Sequence, residues 1–448
     1  MRVTLPVRAG ALPQPGGRAG FAHNGLVTEL NAWPAPRARG RLAAIVELPG
    51  SKSLTNRALT LAALSETPTR ITAPLRARDT LLMADALRSL GIEVADDGSD
   101  WVVTPGPLHG GAVECGLAGT VMRFVPPLAA LAAGDSRFDG DPHARTRPMG
   151  TLLDALRAAG AVIDGNQLPF AVYGTGSVRG GLIELDSSAS SQFISALLLA
   201  ASRFDKGADI RHIGGTVPSL PHIEMTIAGV LEAGGVIETV SERQWLVSAG
   251  KLDLPDQVIE PDLSNAAPFL AAALVTGGQV TVPHWPTETS QPGALLAELL
   301  TRMGASVTLS ADGLTATGTG VITPLEADLH AASELTPVIA ALCALADGES
   351  RISGVAHIRG HETDRLAALR TELAATGCDV TETSDGLVIR PTALQPTLWH
   401  AYADHRMAQA GAVLGLAVHG LEVDDIACTT KTLADFPGQW AAMLEQSA

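Results

Sequence analysis

Apolar positions along the chain fall into two kinds of run that alternate from one end to the other. One kind recurs as TLLMADALRSLGIEV, TLLDALRAAGAVI, MTIAGVLEAGGVIE, ALLAELLTRMGASVT and RLAALRTELAATGCDV. In each, apolar residues return every three to four positions and polar residues fill the opposite face, which predicts an amphipathic helix. Each run closes on Gly91, Gly160, Gly235, Gly304 or Gly377 and then enters a short β-branched strand. Glycine is the residue expected in the left-handed cap just past a helix. A sixth copy, TLADFPGQWAAMLE, lies at the C-terminus.

The other kind is apolar nearly all round: NRALTLAAL, TVMRFVPPLAALAAG, SQFISALLLAAS, SNAAPFLAAALVTG, LTPVIAALCALADG and HRMAQAGAVLGLAVHG. Helices of that composition are buried on every side. Between the helices, segments such as WVVTP, GLIELD, RQWLVSA and GLVIRP alternate as strands do. The whole unit returns about every 70 residues, longer than the ~20–50 residues of a solenoid repeat. A chain of 448 residues exceeds one compact core. Six α/β units therefore predict two domains of three units each, with the boundary near DLPDQVIEP.

Composition narrows the partners. A formal charge of −16 disfavours nucleic acid and anionic membranes, which are held by basic surfaces. No apolar run reaches the ~18 residues of a membrane span. Cys115, Cys343, Cys378 and Cys428 are far apart and form no metal or redox spacing, which points to a reducing cytoplasm with neither zinc nor disulfides. The Arg-, Pro- and Gly-rich first forty residues lack acidic residues until Glu29. They also lack an apolar signal core and are poor in Ser, so a flexible extension is expected there rather than a targeting segment.

Against that acidic background, the starts of the buried helices are unusual. They read Ser51-Lys52-Ser53 with Arg57, Gly119-Thr120 with Arg123, Ser190-Ser191-Gln192, Asp262 with Ser264 and Asn265, Glu334, and Asp404-His405-Arg406. Helix capping accounts for the Ser, Thr and Asp residues. It does not account for Lys52 or the arginines, because a cation at a helix N-terminus opposes the macrodipole. The conflict disappears if an anion lies between the cation and the free N–H groups. Converging helix N-termini that build an anion-binding cleft are the expectation. Arg145 and Arg147, Arg359, His361 and Arg365, and Lys431 sit at further junctions of the units.

The stretches LPGSKSLTNRALTLAAL, GLAGTVMRF, SSQFISALLLAA, HETDR, ADHRMAQA and TTKTLADF occur in that order over residues 48–436. Together they resemble the 5-enolpyruvylshikimate-3-phosphate (EPSP) synthase family. The resemblance implies a two-domain enolpyruvyl transferase fold, each domain three βαβαββ units about a pseudo-threefold axis, an inside-out α/β barrel. On this chain it implies an extension at 1–40, one discontinuous domain from 41–50 with 256–448, and another from 51–255. The active site would lie in the cleft between them. It further implies transfer of the enolpyruvyl group of phosphoenolpyruvate to the 5-hydroxyl of shikimate 3-phosphate by addition and elimination. By the same resemblance no cofactor or metal would be involved, and the enzyme would be a cytoplasmic monomer sensitive to glyphosate.

Residue by residue, the resemblance puts Lys52 between both substrates, with Ser53 and Arg57 on the shikimate ring and its carboxylate. Ser190, Ser191 and Ser219 fall on the 3-phosphate, Gln192 on both ligands, and His357 and His361 on the shikimate side. Gly119, Thr120, Arg145, Arg365, Arg406 and Lys431 fall on phosphoenolpyruvate. Glu334 would be the base on the 5-hydroxyl, with Glu362, His361, Lys52 and Lys431 the other catalytic groups. Four positions depart from the commonest pattern: His361 for Lys, Glu334 for Asp, Leu117 for Asn, and His143 for the first Arg of its loop. The last leaves the loop position to Arg145 or to His143. Two other readings stay open, the sister transferase acting on UDP-N-acetylglucosamine and an inactive binding protein of the same fold. The first would carry a GAKNA-like segment and a loop cysteine near 140–147, where DGDPHARTRP has none.

Overall fold

The structure, a computed structural model, describes residues 32–446. The amphipathic runs form the helices Arg78–Ser89, Gly150–Ala158, Leu220–Glu232, Leu296–Arg302, Arg365–Ala375 and Phe436–Glu445. The apolar runs form Lys52–Leu64, Gly119–Leu131, Gln192–Ala201, Ala266–Thr276, Thr336–Ala344 and His405–Gly415. Gly91, Gly160, Gly304 and Gly377 take the left-handed cap, but in the third unit Gly234 (φ +79°) does so and not Gly235. There the helix ends one residue earlier relative to its glycine pair, and the Gly235 N–H closes the cap on Val230 O at 2.9 Å.

Each unit folds its strands the same way. Ala112–Glu114 runs parallel to Ala133–Asp139, which pairs antiparallel with Phe170–Thr175, and that strand pairs antiparallel with Val162–Asp164. Five sheets share this four-strand order. The sixth has three strands: Leu398–Trp399 lies parallel to Glu422–Val423, and Trp33–Pro34, from the other end of the chain, fills the antiparallel place. The C-terminal unit has no hairpin of its own, and an open strand edge is a liability. Trp33 packs 6.5 Å from the Phe436 ring, and the Ala35 N–H donates to Leu421 O at 3.0 Å. Residues 33–35 are thus part of the fold and not of a flexible extension, while residues 1–31 of that expected 1–40 segment lie outside the described residues.

Two apolar cores result, one from residues 58–259 and one from residues 35–46 with 263–444. In each, the three buried helices pack on one another and the three sheets stay separate around them rather than closing into one barrel. Ala43–Ile45 joins the sheet of Gln279–Val282. Gln257–Val258 pairs with Ile71 and Thr72, so residues 257–259 go with the earlier half although the sequence boundary put them with the later one. The chain crosses between the halves at two adjoining stretches. Gly50 bridges Pro261, Ser51 N–H donates to Glu260 O at 2.8 Å, and Asp262 N–H donates to Pro49 O at 3.0 Å. A Cβ at Gly50 would meet Ala73 O at 2.3 Å, so this crossing is closed to any side chain.

Candidate active site

All six buried helices begin at the cleft between the two cores. Lys52, Ser53, Gly119, Thr120, Ser191, Gln192, Ser264, Glu334 and Arg406 line it from those six starts. Their unpaired first-turn N–H groups and dipoles make the floor electropositive. Asp262 is more than a local cap. Its Oδ2 accepts the Lys52 N–H at 3.1 Å and its Oδ1 the Asn265 N–H at 2.9 Å, so one carboxylate caps a helix from each half. The cleft and its mouth, open solvent included, hold about 820 Å³.

On one side stand Ser53, Arg57, Ser190, Ser191, Gln192, Ser219, Glu334, His357 and His361, as the sequence suggested. Arg57 is buried without a carboxylate. It donates to Thr226 Oγ1 (2.7 Å), Ser53 O (3.0 Å) and His222 O (3.0 Å), and burial pulls its guanidinium down to about 9. Ser219 holds a left-handed backbone (φ +51°), an uncommon conformation for a side chain that is neither Gly, Asn nor Asp. Burial, then Arg365, lowers the His361 imidazole to about 4. Arg365 Nη1 lies 3.0 Å from His361 Nδ1. An arginine only donates, so Nδ1 is the acceptor and the ring proton sits on Nε2. Where the sequence left a protonated or a neutral donor open, the structure gives a neutral one.

The other side is formed by Gly119, Thr120, Arg123, Arg147, Glu362 and His405. Arg145 is not among them. It turns outward, about half exposed, and pairs with Asp139 at 2.8 Å. The 3₁₀ turn Ala144–Thr146 and the extended backbone of Arg147 (φ −78°, ψ 140°) send the second arginine inward instead. A residue before proline is biased to that extended conformation, and Pro148 was the signal in the sequence that could have separated the two. Arg147 donates to Leu117 O at 3.3 Å and lies 4.0 Å from Glu362 Oε1. His143 reaches the same loop by its ring, 2.5 Å from Glu362 O. Neither Arg145 nor His143 fills the inner position; Arg147 does. Arg123, noted in sequence only as a basic helix start, is buried beside Arg147, and burial followed by that neighbour pushes its guanidinium well below the usual range.

Arg365 and Lys431 stand directly behind the cleft wall. Arg365 is fully buried and binds Asp404 (2.7 Å), Glu334 (3.1 Å) and Glu362 (3.0 Å). Lys431 pairs with Glu362 and donates to Leu117 O across the cleft at 3.2 Å. Burial alone would raise the Glu362 carboxyl, but Lys431, Arg365 and Arg147 outweigh it and hold it well below the usual carboxylate range. Glu334 behaves likewise: burial is overcome by Arg365, with Arg406 adding to it. Asp404, unassigned from sequence, accepts the Arg406 N–H at 2.9 Å and so fixes both arginines. Gln192 Oε1, Arg147 Nε and Arg406 Nε are buried without a hydrogen-bond partner, although Arg406 Nε lies 3.8 Å from Glu334 Oε2. Such an arrangement can hold two anionic groups side by side and move protons through two ionised carboxylates that share one guanidinium.

The fold is that of the enolpyruvyl transferases. EPSP synthase from Acinetobacter baumannii superposes with a TM-score of 0.75 at 22% identity, over 92% of this chain and 97% of that one. The enolpyruvyl transferase NikO from Streptomyces tendae superposes with a TM-score of 0.70 at 18% identity, over 91% and 96%. Within that class, residues 36–440 match the EPSP synthase (3-phosphoshikimate 1-carboxyvinyltransferase) family, and the chain belongs to it. A 3-phosphoshikimate 1-carboxyvinyltransferase of Kocuria rhizophila is 52% identical over 443 residues, covering 95% of this chain and 99% of that protein.

Proposed function

We propose that this enzyme transfers the enolpyruvyl group of phosphoenolpyruvate to the 5-hydroxyl of shikimate 3-phosphate and releases phosphate. The observation that carries the reading is the pair Glu334 and Glu362, both bound to Arg365 at the meeting point of six helix N-termini. In the addition step Glu334 takes the 5-hydroxyl proton while the oxygen bonds to C2 of the donor. C3 receives a proton from the Lys431–Glu362 pair. In the elimination step that proton returns to the pair, the C2–O bond to phosphate breaks, and the Glu334 proton leaves with the phosphate. Lys52 and Gln192 lie between the two ligands, Ser190, Ser191 and Ser219 take the 3-phosphate, and Arg57 with Ser53 takes the ring and carboxylate. His357 and the neutral Nε2–H of His361 add donors on that side. Arg147, Arg365, Arg406, Lys431 and the Gly119–Thr120 helix start receive the donor.

The four cysteines are unpaired, and no described helix is long and apolar enough to cross a membrane. The test is phosphate release from phosphoenolpyruvate. Release that requires shikimate 3-phosphate is expected. Release that requires UDP-N-acetylglucosamine, or none with either acceptor, overturns the reading.

A further inference from the structure

Two imidazoles at the acceptor end of the cleft differ in what surrounds them. His212 faces one donor and one acceptor: Ser187 N–H donates to Nδ1 at 3.1 Å, and Nε2 lies 2.7 Å from Gly215 O. A neutral ring protonated on Nε2 satisfies both. His330 faces two acceptors. Its Nδ1 lies 3.1 Å from Gly354 O and its Nε2 3.0 Å from Val217 O. A neutral imidazole has one N–H and makes only one of these bonds, whereas the imidazolium makes both. Gly354 belongs to the half built on residues 263–444 and Val217 to the half built on 58–259. The two bonds of this ring therefore tie the halves together.

Val217 lies two residues before Ser219. Ser219 Oγ is 3.5 Å from Ser333 Oγ, and Ser333 Oγ is 2.9 Å from His357 Nε2. We propose that His330, as the imidazolium, is a positioning residue for the phosphate-bearing acceptor: it pins the Val217–Ser219 loop to the opposite half and sets Ser219 toward the 3-phosphate. The inference rests on Ser219 being an acceptor ligand, as given under the proposed function.

The groups around the ring are each engaged elsewhere. His357 meets it edge-on at 5.4 Å, and burial holds that imidazole near 3, so it stays neutral. Asp328 is engaged by the His330 backbone N–H at 2.7 Å, and Asp385 by the Gly354 N–H at 3.0 Å. Glu334, on the same turn, is bound to Arg365. On the opposing half, Arg243 donates to Gly214 O and Gly215 O, and the His212 ring is engaged by Ser187 N–H and Gly215 O. Among the described residues no carboxylate pairs with the His330 ring.

The test is the Kd of shikimate 3-phosphate for the wild-type enzyme and for His330→Phe, by calorimetry at about pH 6 and about pH 8.5. Ionisation of the acceptor phosphate is common to both proteins and cancels in their ratio. His330→Phe keeps the ring contact with His357 and removes both donors. It is expected to weaken binding about tenfold at the lower pH and about threefold or less at the higher. The KM for phosphoenolpyruvate and the kcat at saturation should move less than about twofold. His330→Gln, whose amide donor does not titrate, should recover part of the affinity at both pH values. A ratio equal at the two pH values, or a loss carried by kcat or by the donor KM, overturns the inference while leaving the activity intact. An enzyme that neither binds nor turns over shikimate 3-phosphate overturns the functional reading and this one with it. Should the variants fail to fold, the ¹⁵N imidazole resonances of the wild type decide. Both His330 nitrogens protonated at about pH 6 supports the proposal, and a single neutral tautomer there overturns it.

Discussion

The two arginines of DPHARTRP differ by two positions and by everything that matters to an anion. Arg145 is about half exposed, and its partner Asp139 is exposed as well. Replacing it with alanine removes a surface ion pair screened by solvent, and kcat/KM should stay within about twofold of wild type. Arg147 is nearly buried, with one contact to Leu117 O at 3.3 Å and Glu362 4.0 Å away. A charge-assisted contact from such a group to a phosphate or carboxylate is worth roughly 1.5–3 kcal/mol, and a paired contact more. Arg147→Ala should therefore lower kcat/KM for phosphoenolpyruvate by about one to three powers of ten, at ~1.4 kcal/mol per power. The KM for shikimate 3-phosphate should change far less, because Arg147 lines only the part of the cleft proposed for the donor. The assay is initial-rate phosphate release with each substrate varied in turn. Comparable losses for the two variants, or a loss confined to the acceptor KM, would falsify the inward assignment of Arg147.

Glu362→Gln removes the carboxylate that Lys431, Arg365 and Arg147 hold ionised; kcat should fall about 10²–10⁴-fold with both binding constants nearly unchanged, and a pure rise in KM would make it a ligand only. Gly119→Ala places a methyl 3.1 Å from Arg123 Nη1 and 3.2 Å from Arg147 Nη1 and Gln192 Oε1. Those flexible ends can give way, so the protein should fold while the donor KM rises about five- to tenfold, readable from donor-varied initial rates. Stability should fall on acidification. His222 and His361 are lowered to about 4 and His357 to about 3, all from 6.5. Between those values and 6.5 the unfolded chain binds more protons than the native one, so stability is full above about pH 6.5 and lost as pH drops toward 4. Thermal melts across that window should show a shallower slope for His361→Gln, by on the order of 2–3 kcal/mol at the acid end.

The twelve helices were legible because each is decided locally, six by an amphipathic period and six by a run apolar nearly all round. So were the cations, because a lysine or arginine at a helix N-terminus conflicts with the dipole unless an anion is near. What escaped was set by geometry at a finer or a longer range. Two glycines in succession hid which one caps the third unit. One short turn decided which arginine of a loop faces inward. Asp404 and Asp262 looked like ordinary caps, and only their second oxygens reveal that each also fixes another element: Arg365 in one case and the Lys52 helix in the other. Trp33–Pro34 gave no strand signal, since its partner lies at the far end of the chain.

That last pairing has a bearing on how the protein is made. The half built on residues 58–259 has all its strands once Gln257–Val258 has been synthesised. The other half cannot close its sixth sheet until Glu422–Val423 has left the ribosome, about 390 residues after Trp33. At ~5–20 residues per second that is a wait of roughly 20–80 s. Through that interval the early strand stays unpaired, so a stalled or truncated message yields one finished half tethered to a segment with no sheet to join.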